Sequence, residues 1–208
     1  MFVLVADDHS IVREGIKQIV MKNDEVSSVE EAENGHEALV KIEKNKYDLV
    51  ILDISMPGLS GFDVLKTMKD KNEKANVLIL SIHPQEQYAI RALNLGASGY
   101  ICKDSIYEEL SAAIKKIASG GKYISAALAE KIAFNKDDGN KLPHEKLSER
   151  EFQILLLLAK GKSVKEIAEE LFISDKTVST YRARILEKME MKHNAELTRY
   201  SLMNDLIE

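Results

Sequence analysis

Short apolar runs alternate with stretches of helical spacing over the first 120 residues of the chain. Between the runs, apolar residues recur at intervals of three and four, as at Val12, Ile16 and Ile19, which is typical of helices packed on one face. A further run, Val26–Ala32, alternates apolar and polar positions as a half-buried strand does. Five such strand and helix units predict a doubly wound parallel α/β sheet. The continuous runs are Phe2–Ala6, Val50–Leu52, Val77–Leu80 and Tyr100–Cys102.

Helix and turn signals mark the end of this first region. The segment Ser105–Glu108 has the spacing of a capping box, in which a serine and an acidic residue satisfy the first backbone amides of a helix. Gly120–Gly121 is placed to end that helix. The residues beyond are rich in turn formers, with room for one short helix over 122–134. We therefore predict a first domain at 1–120 and a linker at 121–143.

The remaining residues, 144–208, predict several short helices and no strand. Capping boxes at Ser148–Glu151 and Ser163–Glu166 start the first two helices, and a tight turn separates the second helix from the third. Two short helices joined in this way form a helix-turn-helix, whose second member lies in the major groove of DNA. We therefore predict a small all-α DNA-binding domain.

The outer face of the third predicted helix carries the residue types that such a helix needs. Short polar side chains near its amino end can reach base edges, while cations meet phosphates. A charged face that only contacts solvent would be the better interpretation of this helix alone, but the capped helix-turn-helix around it favours DNA binding. The predicted DNA contacts are Lys176, Thr177, Ser179, Thr180, Ala183, Arg184 and Lys188.

Three carboxylates stand at the ends of the two most apolar strand-like runs. Asp7 and Asp8 follow the first run, and Asp53 ends the run that begins at Tyr47. Because parallel strands end at one edge of a sheet, these acids should converge there. Clustered carboxylates repel one another and would be driven to hold protons unless a cation lay among them. Mg²⁺ is usually held by one or two carboxylates with water and substrate phosphate. The sequence therefore predicts a phosphoryl-transfer site with the phosphate on a carboxylate.

Length and charge agree with two globular domains of different character. A chain of 208 residues is somewhat long for one ordinary domain. It has 29 basic and 34 acidic residues; 12 of each lie in 141–208, which leaves 17 basic and 22 acidic residues for the first part. The acidic balance of the whole chain is therefore no argument against DNA binding by the second part.

Features of secretion and membrane insertion are missing from the sequence. The start has no basic region before its short apolar run, and nothing approaches the roughly 18 apolar residues of a membrane span. We therefore expect a cytoplasmic protein without membrane association. The single cysteine, Cys102, rules out an internal disulfide and is interpreted as a buried small hydrophobe. The five histidines show no metal-ligand spacing.

Several dispersed motifs, in one order along nearly the whole chain, resemble those of two-component response regulators of the NarL/FixJ class. The resemblance implies a receiver domain with a flavodoxin-like sheet, followed by a LuxR-type DNA-binding domain. The receiver-like motifs are Asp7-Asp8-His9, Leu52–Gly58, Ser81 and Gly99–Asp104. The motifs that resemble the DNA-binding domain are Leu147–Glu151, Gly161–Ala168 and Lys176–Arg182.

The resemblance also implies a role for each matched residue near the phosphate. Asp53 is the expected phosphoacceptor, with a carboxylate that forms an acyl phosphate. Lys103 is expected to pair with one phosphoryl oxygen, and the Ser81 hydroxyl to donate a hydrogen bond to another. Tyr100 resembles the switch aromatic of the family, which turns inward when Ser81 moves toward the phosphate.

The same resemblance implies a Mg²⁺ site formed by Asp7, Asp8 and Asp53, with the main-chain carbonyl of Ser55 completing the protein ligands. Ser55 and His83, two residues past the phosphoacceptor and the switch hydroxyl, are expected to flank the approach of water. Substitutions at these two positions are therefore expected to change how long the phosphoryl group persists.

The partners implied are a sensor histidine kinase, promoter DNA and, on activation, a second copy of the chain, with RNA polymerase as a further candidate. No enzymatic activity beyond self-phosphorylation and slow self-dephosphorylation is expected. One alternative is a metal-dependent phosphohydrolase with an aspartyl nucleophile, but such enzymes place a second acid where this chain has Ser55. The other is a regulator that works without phosphorylation, which the complete set of acids and Lys103 makes the weaker interpretation.

Overall fold

The computed structural model describes residues 1–82, 86–126, 128–130, 142–204 and 206–207. The chain divides into two compact units, Met1–Lys136 and Asp137–Glu208. His83 and the linker residues 131–141 lie outside the described residues. Of the short helix predicted over 122–134, the described part is helical at residues 126 and 128–130.

The first unit is built on a parallel sheet whose strands alternate with helices along the chain. Across the sheet the order is β2-β1-β3-β4-β5, the flavodoxin-like order, and every neighbouring pair is parallel. This confirms the predicted fold class. The strands in the centre are buried on both faces, which explains their continuous apolar runs. The strands are β1 (Phe2–Ala6), β2 (Ser28–Ala32), β3 (Leu49–Asp53), β4 (Asn76–Ser81) and β5 (Gly99–Cys102).

Helices cover both faces of this sheet. The first and last helices contact each other, while the second contacts the third and the third contacts the fourth, so two helices lie on one face and three on the other. Successive strand residues point to opposite faces, and the cluster under the two-helix face combines Val3, Val5, Leu49 and Ile51 with helical residues such as Leu110. The helices are α1 (Ser10–Met21), α2 (Gly35–Lys44), α3 (Gly61–Asp70), α4 (Glu86–Leu95) and α5 (Ile106–Ala118).

The capping box predicted at Ser105 does not form. A 3-10 turn, Lys103–Ser105, precedes α5, and the Ser105 hydroxyl donates back to the carbonyl of Cys102 at 3.2 Å. The φ and ψ of Ser105, −105° and 11°, are far from the extended values of a capping residue. The turn thus directs the serine away from the first amides of α5. The other end of the helix is as predicted, since Gly120 follows it with a φ of 81°.

The chain returns to the sheet after α5. The amide of Tyr123 donates to the carbonyl of Ser98 at 2.8 Å, and its carbonyl accepts from the amide of Tyr100 at 3.1 Å. A parallel bridge thereby joins Tyr123 to Gly99 of the edge strand β5 and satisfies backbone groups that the edge would leave open. The first residues of the predicted linker, 121–143, are therefore part of the α/β unit.

The second unit is helical over its described residues. Its first two long helices begin with complete capping boxes at Ser148 and Ser163, in agreement with the prediction. A 3-10 turn, Pro143–Lys146, leads into the unit, and its His144 is buried with Nδ1 2.7 Å from the Tyr200 hydroxyl. Among the residues that the structure describes, no helix could cross a membrane. The helices are α6 (Glu149–Ala159), α7 (Val164–Glu170), α8 (Asp175–Lys188) and α9 (Asn194–Met203).

Candidate functional site

Acidic side chains and one lysine meet at the carboxyl edge of the sheet. Asp7 and Asp8 follow β1, Asp53 ends β3, and Lys103 follows β5. These strands end at the same edge because they are parallel. The side chains of Asp7, Asp53 and Lys103 are only 0%, 2% and 11% exposed, so their charges interact in surroundings largely shielded from water.

One ammonium group bridges two of the carboxylates. The Nζ atom of Lys103 lies 2.6 Å from Oδ2 of Asp7 and 3.0 Å from Oδ2 of Asp53. Both distances are those of charge-assisted hydrogen bonds. Three carboxylates and one ammonium leave the cluster with an excess of negative charge when all are ionised.

The pKa directions of the two central groups follow from burial and from each other. Burial raises the pKa of Asp53, and the Asp7 carboxylate adds to this, although the Lys103 ammonium opposes it. Burial would lower the pKa of Lys103, but the Asp53 and Asp7 carboxylates together raise it. Lys103 therefore stays charged, while the ionised form of Asp53 would be stabilised by one more cation.

Unpartnered oxygen atoms show where such a cation fits. Oδ1 of Asp53 and Oδ1 of Asp8 are buried and accept no hydrogen bond. The latter lies 2.9 Å from Nδ1 of His9, but without hydrogen-bond geometry. Potential ligand atoms of Asp7, Asp8, His9 and Asp53 all lie within 4.8 Å of one another. An oxygen-rich cluster of this kind suits a hard divalent cation. His9 belongs to the Asp7-Asp8-His9 motif, but its side chain was not predicted to lie beside this cluster.

The other predicted residues of this site lie on the same edge. Ser81, at the end of β4, is buried. Burial raises the pKa of Tyr100 well above its usual value, although the nearby Ser81 side chain opposes this shift. Tyr100 is only 2% exposed. Ser55 is half-buried, and its backbone amide is close enough to the Asp53 carboxylate to oppose the rise in its pKa.

The predicted DNA contacts all lie on α8, the second helix of the helix-turn-helix. Lys176, Ser179, Thr180, Ala183 and Arg184 are exposed, whereas Val178 and Ile185 on the opposite face are fully buried. A shallow concavity on this surface is lined by Lys176, Thr177, Thr180, Tyr181 and Arg184. The helix thus presents short polar groups and cations on one outward face.

Three of these side chains have contacts within the unit, and the first is Thr177, whose hydroxyl lies 2.8 Å from that of Ser174. The Thr180 hydroxyl donates to the Lys176 carbonyl at 2.9 Å, so it is bonded to its own helix. Lys188 donates to Oε2 of Glu151 at 2.7 Å, and the Glu151 side chain is only 3% exposed. Lys188 therefore has a structural partner besides any phosphate that it contacts. Sequence reasoning missed this pair, since no local pattern links residues 37 positions apart.

Comparisons with known proteins cover both units. Residues 3–115 match the family model described as a response regulator receiver domain, and residues 145–201 match the model of bacterial regulatory proteins of the luxR family. The chain is 34% identical over 206 residues to the response regulator UvrY of Escherichia coli K12, covering 98% of this chain and 94% of UvrY. It is 36% identical over 216 residues to the oxygen regulatory protein NreC of Staphylococcus aureus JH9, with both chains fully covered.

Solved structures of RcsB are also similar. One shows RcsB of Salmonella enterica serovar Typhimurium bound to the promoter P1flhDC in the presence of the phosphomimetic BeF3⁻. The two sequences are 27% identical, and the alignment covers 96% of this chain and 97% of the RcsB chain with a TM-score of 0.61. Another shows two RcsB dimers bound to two parallel DNAs, with 26% identity, the same coverage and a TM-score of 0.61.

Proposed function

Because the chain belongs to the two-component response regulators of the NarL/FixJ family, we propose that it is a DNA-binding transcription regulator that a sensor histidine kinase activates by phosphorylating Asp53. The observation that carries this proposal is the buried cluster in which Lys103 bridges Asp53 and Asp7 while Oδ1 of Asp53 accepts no hydrogen bond. A location in the cytoplasm, where promoter DNA is found, is part of the proposal.

Phosphoryl transfer to Asp53 is an in-line displacement at phosphorus. A carboxylate oxygen of Asp53 forms the new P–O bond as the P–N bond to the kinase histidine breaks, and the imidazole leaves. Lys103 fixes the orientation of the Asp53 carboxylate and offers positive charge to the phosphoryl oxygens. The Ser81 hydroxyl, at the end of β4, would donate to one of those oxygens.

A divalent cation fits the remaining charge of the site. Asp7, Asp8, Asp53 and the main-chain carbonyl of Ser55 would hold Mg²⁺, and the unpartnered oxygens of Asp8 and Asp53 support this assignment. When bound, Mg²⁺ would neutralise negative charge on the transferring phosphoryl group. The chain's own contribution is to keep these oxygens together and largely shielded from water.

Activation would act through dimerisation and DNA binding. A phosphoryl group adds about −1.5 to −2 charges at Asp53, and the response of Ser81, Lys103 and Tyr100 would reshape the surface near β5. A dimer would then present two α8 helices to half-sites about 34 Å apart. Leu202 and Met203 on α9 are exposed and are candidates for the dimer interface. Leu197 of the same helix is buried in the core of its own unit. The dimers and promoter complex of RcsB support this view.

Incubation with Mg²⁺ and acetyl phosphate, followed by intact-mass measurement, tests the phosphorylation step. One stoichiometric phosphoryl group is expected. Continuous release of inorganic phosphate would instead support the metal-dependent phosphohydrolase, and no change in mass would support a regulator that works without phosphorylation.

Selection of bound sequences from a random DNA pool, with and without acetyl phosphate, tests the output. We expect phosphorylation to enrich a two-fold repeated site, together with a shift from monomer to dimer in light scattering. Equal enrichment in both conditions would contradict control by phosphorylation. Recovery of no preferred sequence would contradict the DNA-binding assignment of α8.

A further inference from the structure

A buried arginine lies directly behind the acidic cluster. Arg13 belongs to α1, and its side chain is only 9% exposed. Arginine is almost never buried to this degree unless its guanidinium group is paired. Its partners therefore indicate what the burial achieves.

All three guanidinium nitrogens of Arg13 have partners at the carboxyl edge of the sheet. Nη1 donates to the main-chain carbonyl of Asp7 at 2.7 Å, and this bond is buried. Nε donates to Oε2 of Glu31 at 3.1 Å, and Nη2 donates to Oε1 of Glu33 at 3.1 Å. One rigid planar group thus ties α1 to the ends of both β1 and β2.

The bond to the Asp7 carbonyl completes a set of contacts that fixes this residue. The Asp7 amide donates to the carbonyl of Ala32, Oδ1 accepts from the His9 amide at 2.9 Å, and Oδ2 accepts from Lys103. The Asp7 carbonyl belongs to the planar peptide group that leads into Asp8. Holding that carbonyl therefore sets the direction in which the Asp8 side chain leaves the main chain.

The contribution of Arg13 to the cluster is geometric rather than a matter of net charge. Its positive charge faces the two carboxylates of Glu31 and Glu33, which lie outside the cluster of Asp7, Asp8 and Asp53. Lys17 provides a natural comparison, because it also pairs with Glu31, at 2.6 Å, but among the described residues its other ionic partner is Glu14 rather than Asp7.

From this geometry we infer that Arg13 is a positioning residue for the divalent-cation site, acting through the main chain between Asp7 and Asp8. The inference rests on the proposed function of that cluster. Partners that orient metal ligands are themselves important, and their substitution typically lowers metal affinity about 10- to 100-fold. A loss of this size is expected for Arg13, and little change is expected for Lys17.

The test uses the full-length, unphosphorylated protein and Mn²⁺ as a paramagnetic substitute for Mg²⁺, with free Mn²⁺ measured by electron paramagnetic resonance. Arg13→Lys keeps the charge but loses the planar fork, and Arg13→Met removes both. Both variants should bind Mn²⁺ about 10- to 100-fold more weakly than wild type, whereas Lys17→Met should stay within about twofold. With acetyl phosphate, the Arg13 variants should need more Mg²⁺ for half-maximal phosphorylation and should approach the wild-type rate when Mg²⁺ saturates.

The outcomes separate this inference from the proposed function. If wild type binds Mn²⁺ and the folded Arg13→Lys protein binds it equally well, Arg13 does not position the site. If both Arg13 variants lose their circular dichroism signal, the role of Arg13 is purely structural and the inference is overturned. If wild type itself neither binds Mn²⁺ nor becomes phosphorylated, the proposed function of the cluster fails first.

Discussion

In the α/β unit the candidate functional side chains are buried at a sheet edge, whereas in the helical unit they lie on an exposed helix face. Asp7, Asp53 and Lys103 contact one another in surroundings largely shielded from water. The predicted DNA contacts on α8 face outward, and Glu151, an acid that is buried in that unit, belongs to a helix cap. Chemistry on a carboxylate depends on charges held in place away from water, while binding of a polyanion depends on cations that reach it.

This contrast has a consequence for substitutions. Members of the buried cluster share partners, so removing one changes the environment of the others and the effects are not additive. Residues on the exposed face of α8 contact mostly solvent, and each should contribute a separate increment to DNA binding. Effects in the first unit should therefore be close to all-or-none, and effects in the second unit should be graded.

The largest expected effect is the loss of phosphorylation in Asp53→Asn. The amide has the shape of the carboxylate but is not a nucleophile, so no acyl phosphate can form. Intact-mass measurement after incubation with acetyl phosphate and Mg²⁺ should show an unmodified protein. Asp70→Asn, which changes an exposed acid in the same unit, should be modified like wild type. Modification of Asp53→Asn at the wild-type rate would show that another residue is the phosphoacceptor.

A graded effect is expected on α8. Ser179→Ala should alter sequence preference, because each direct base contact is worth about 1–3 kcal/mol. Lys176→Ala should instead weaken binding to all DNA sequences alike. It should also reduce the slope of log affinity against log salt concentration by about 1. Titrations on a panel of operator variants at several salt concentrations distinguish the two. Ser179 is a clearer probe than Thr180, whose hydroxyl is bonded to its own helix. Uniform weakening by Ser179→Ala would assign that residue to phosphate contact.

A smaller effect on stability is expected from Lys188→Ala. This change leaves the buried Glu151 carboxylate without its ammonium partner, although the Ser148 amide still donates to it at 2.7 Å. Because the Lys188 side chain is 42% exposed, the loss should be limited to about 1–2 kcal/mol of unfolding free energy. Lys176→Ala, on the exposed face, should change the free energy of unfolding by less than about 0.5 kcal/mol. Equal urea midpoints for Lys188→Ala and wild type would show that the pair of Lys188 and Glu151 contributes nothing to stability.

The last expected effect, which vanishes near neutral pH, is a pH dependence of the stability of the α/β unit. Burial, together with the bond from the Tyr47 hydroxyl to Glu30, raises the pKa of Tyr47 to about 12. Since the folded pKa exceeds the usual value of 10, this contribution to stability is fully present below pH 10 and is lost as the pH rises through about 12.

Urea midpoints measured for the full-length protein across that range check the expectation. Tyr47→Phe should show a shallower decline than wild type, because it has no phenol to titrate. Tyr107→Phe, which changes an exposed ring, should follow wild type. A decline in Tyr47→Phe as steep as in wild type would show that other groups, such as Tyr123, determine it.

The architecture could be predicted from the sequence where local patterns decide it. Capping at Ser148 and Ser163 depends on residues three positions apart, and both boxes formed as predicted. The same pattern at Ser105 failed because a preceding 3-10 turn fixed its backbone. A capping box at Ser60 and Asp63 was missed, although its serine and aspartate have the spacing that would have revealed it.

The site could be predicted only as far as its residues belong to strand ends. The meeting of Asp7, Asp53 and Lys103 follows from the rule that parallel strands end at one edge. The partners of Arg13 could not be predicted, since Glu33 is 20 positions away and the contact depends on how α1 packs. Local spacing likewise carries no information about which oxygens remain without a partner.

The bridging position of Lys103 also has a consequence for synthesis of the protein on the ribosome. About 50 residues separate Asp53 from Lys103, which takes roughly 3–10 s at about 5–20 residues per second. During that interval the nascent chain contains all three acids but not the ammonium group that bridges two of them. Repulsion among the acids opposes the alignment of β1 with β3 unless protons or a cation neutralise it. Once synthesised, Lys103 contributes the ammonium group that offsets part of this repulsion at the ends of β1 and β3.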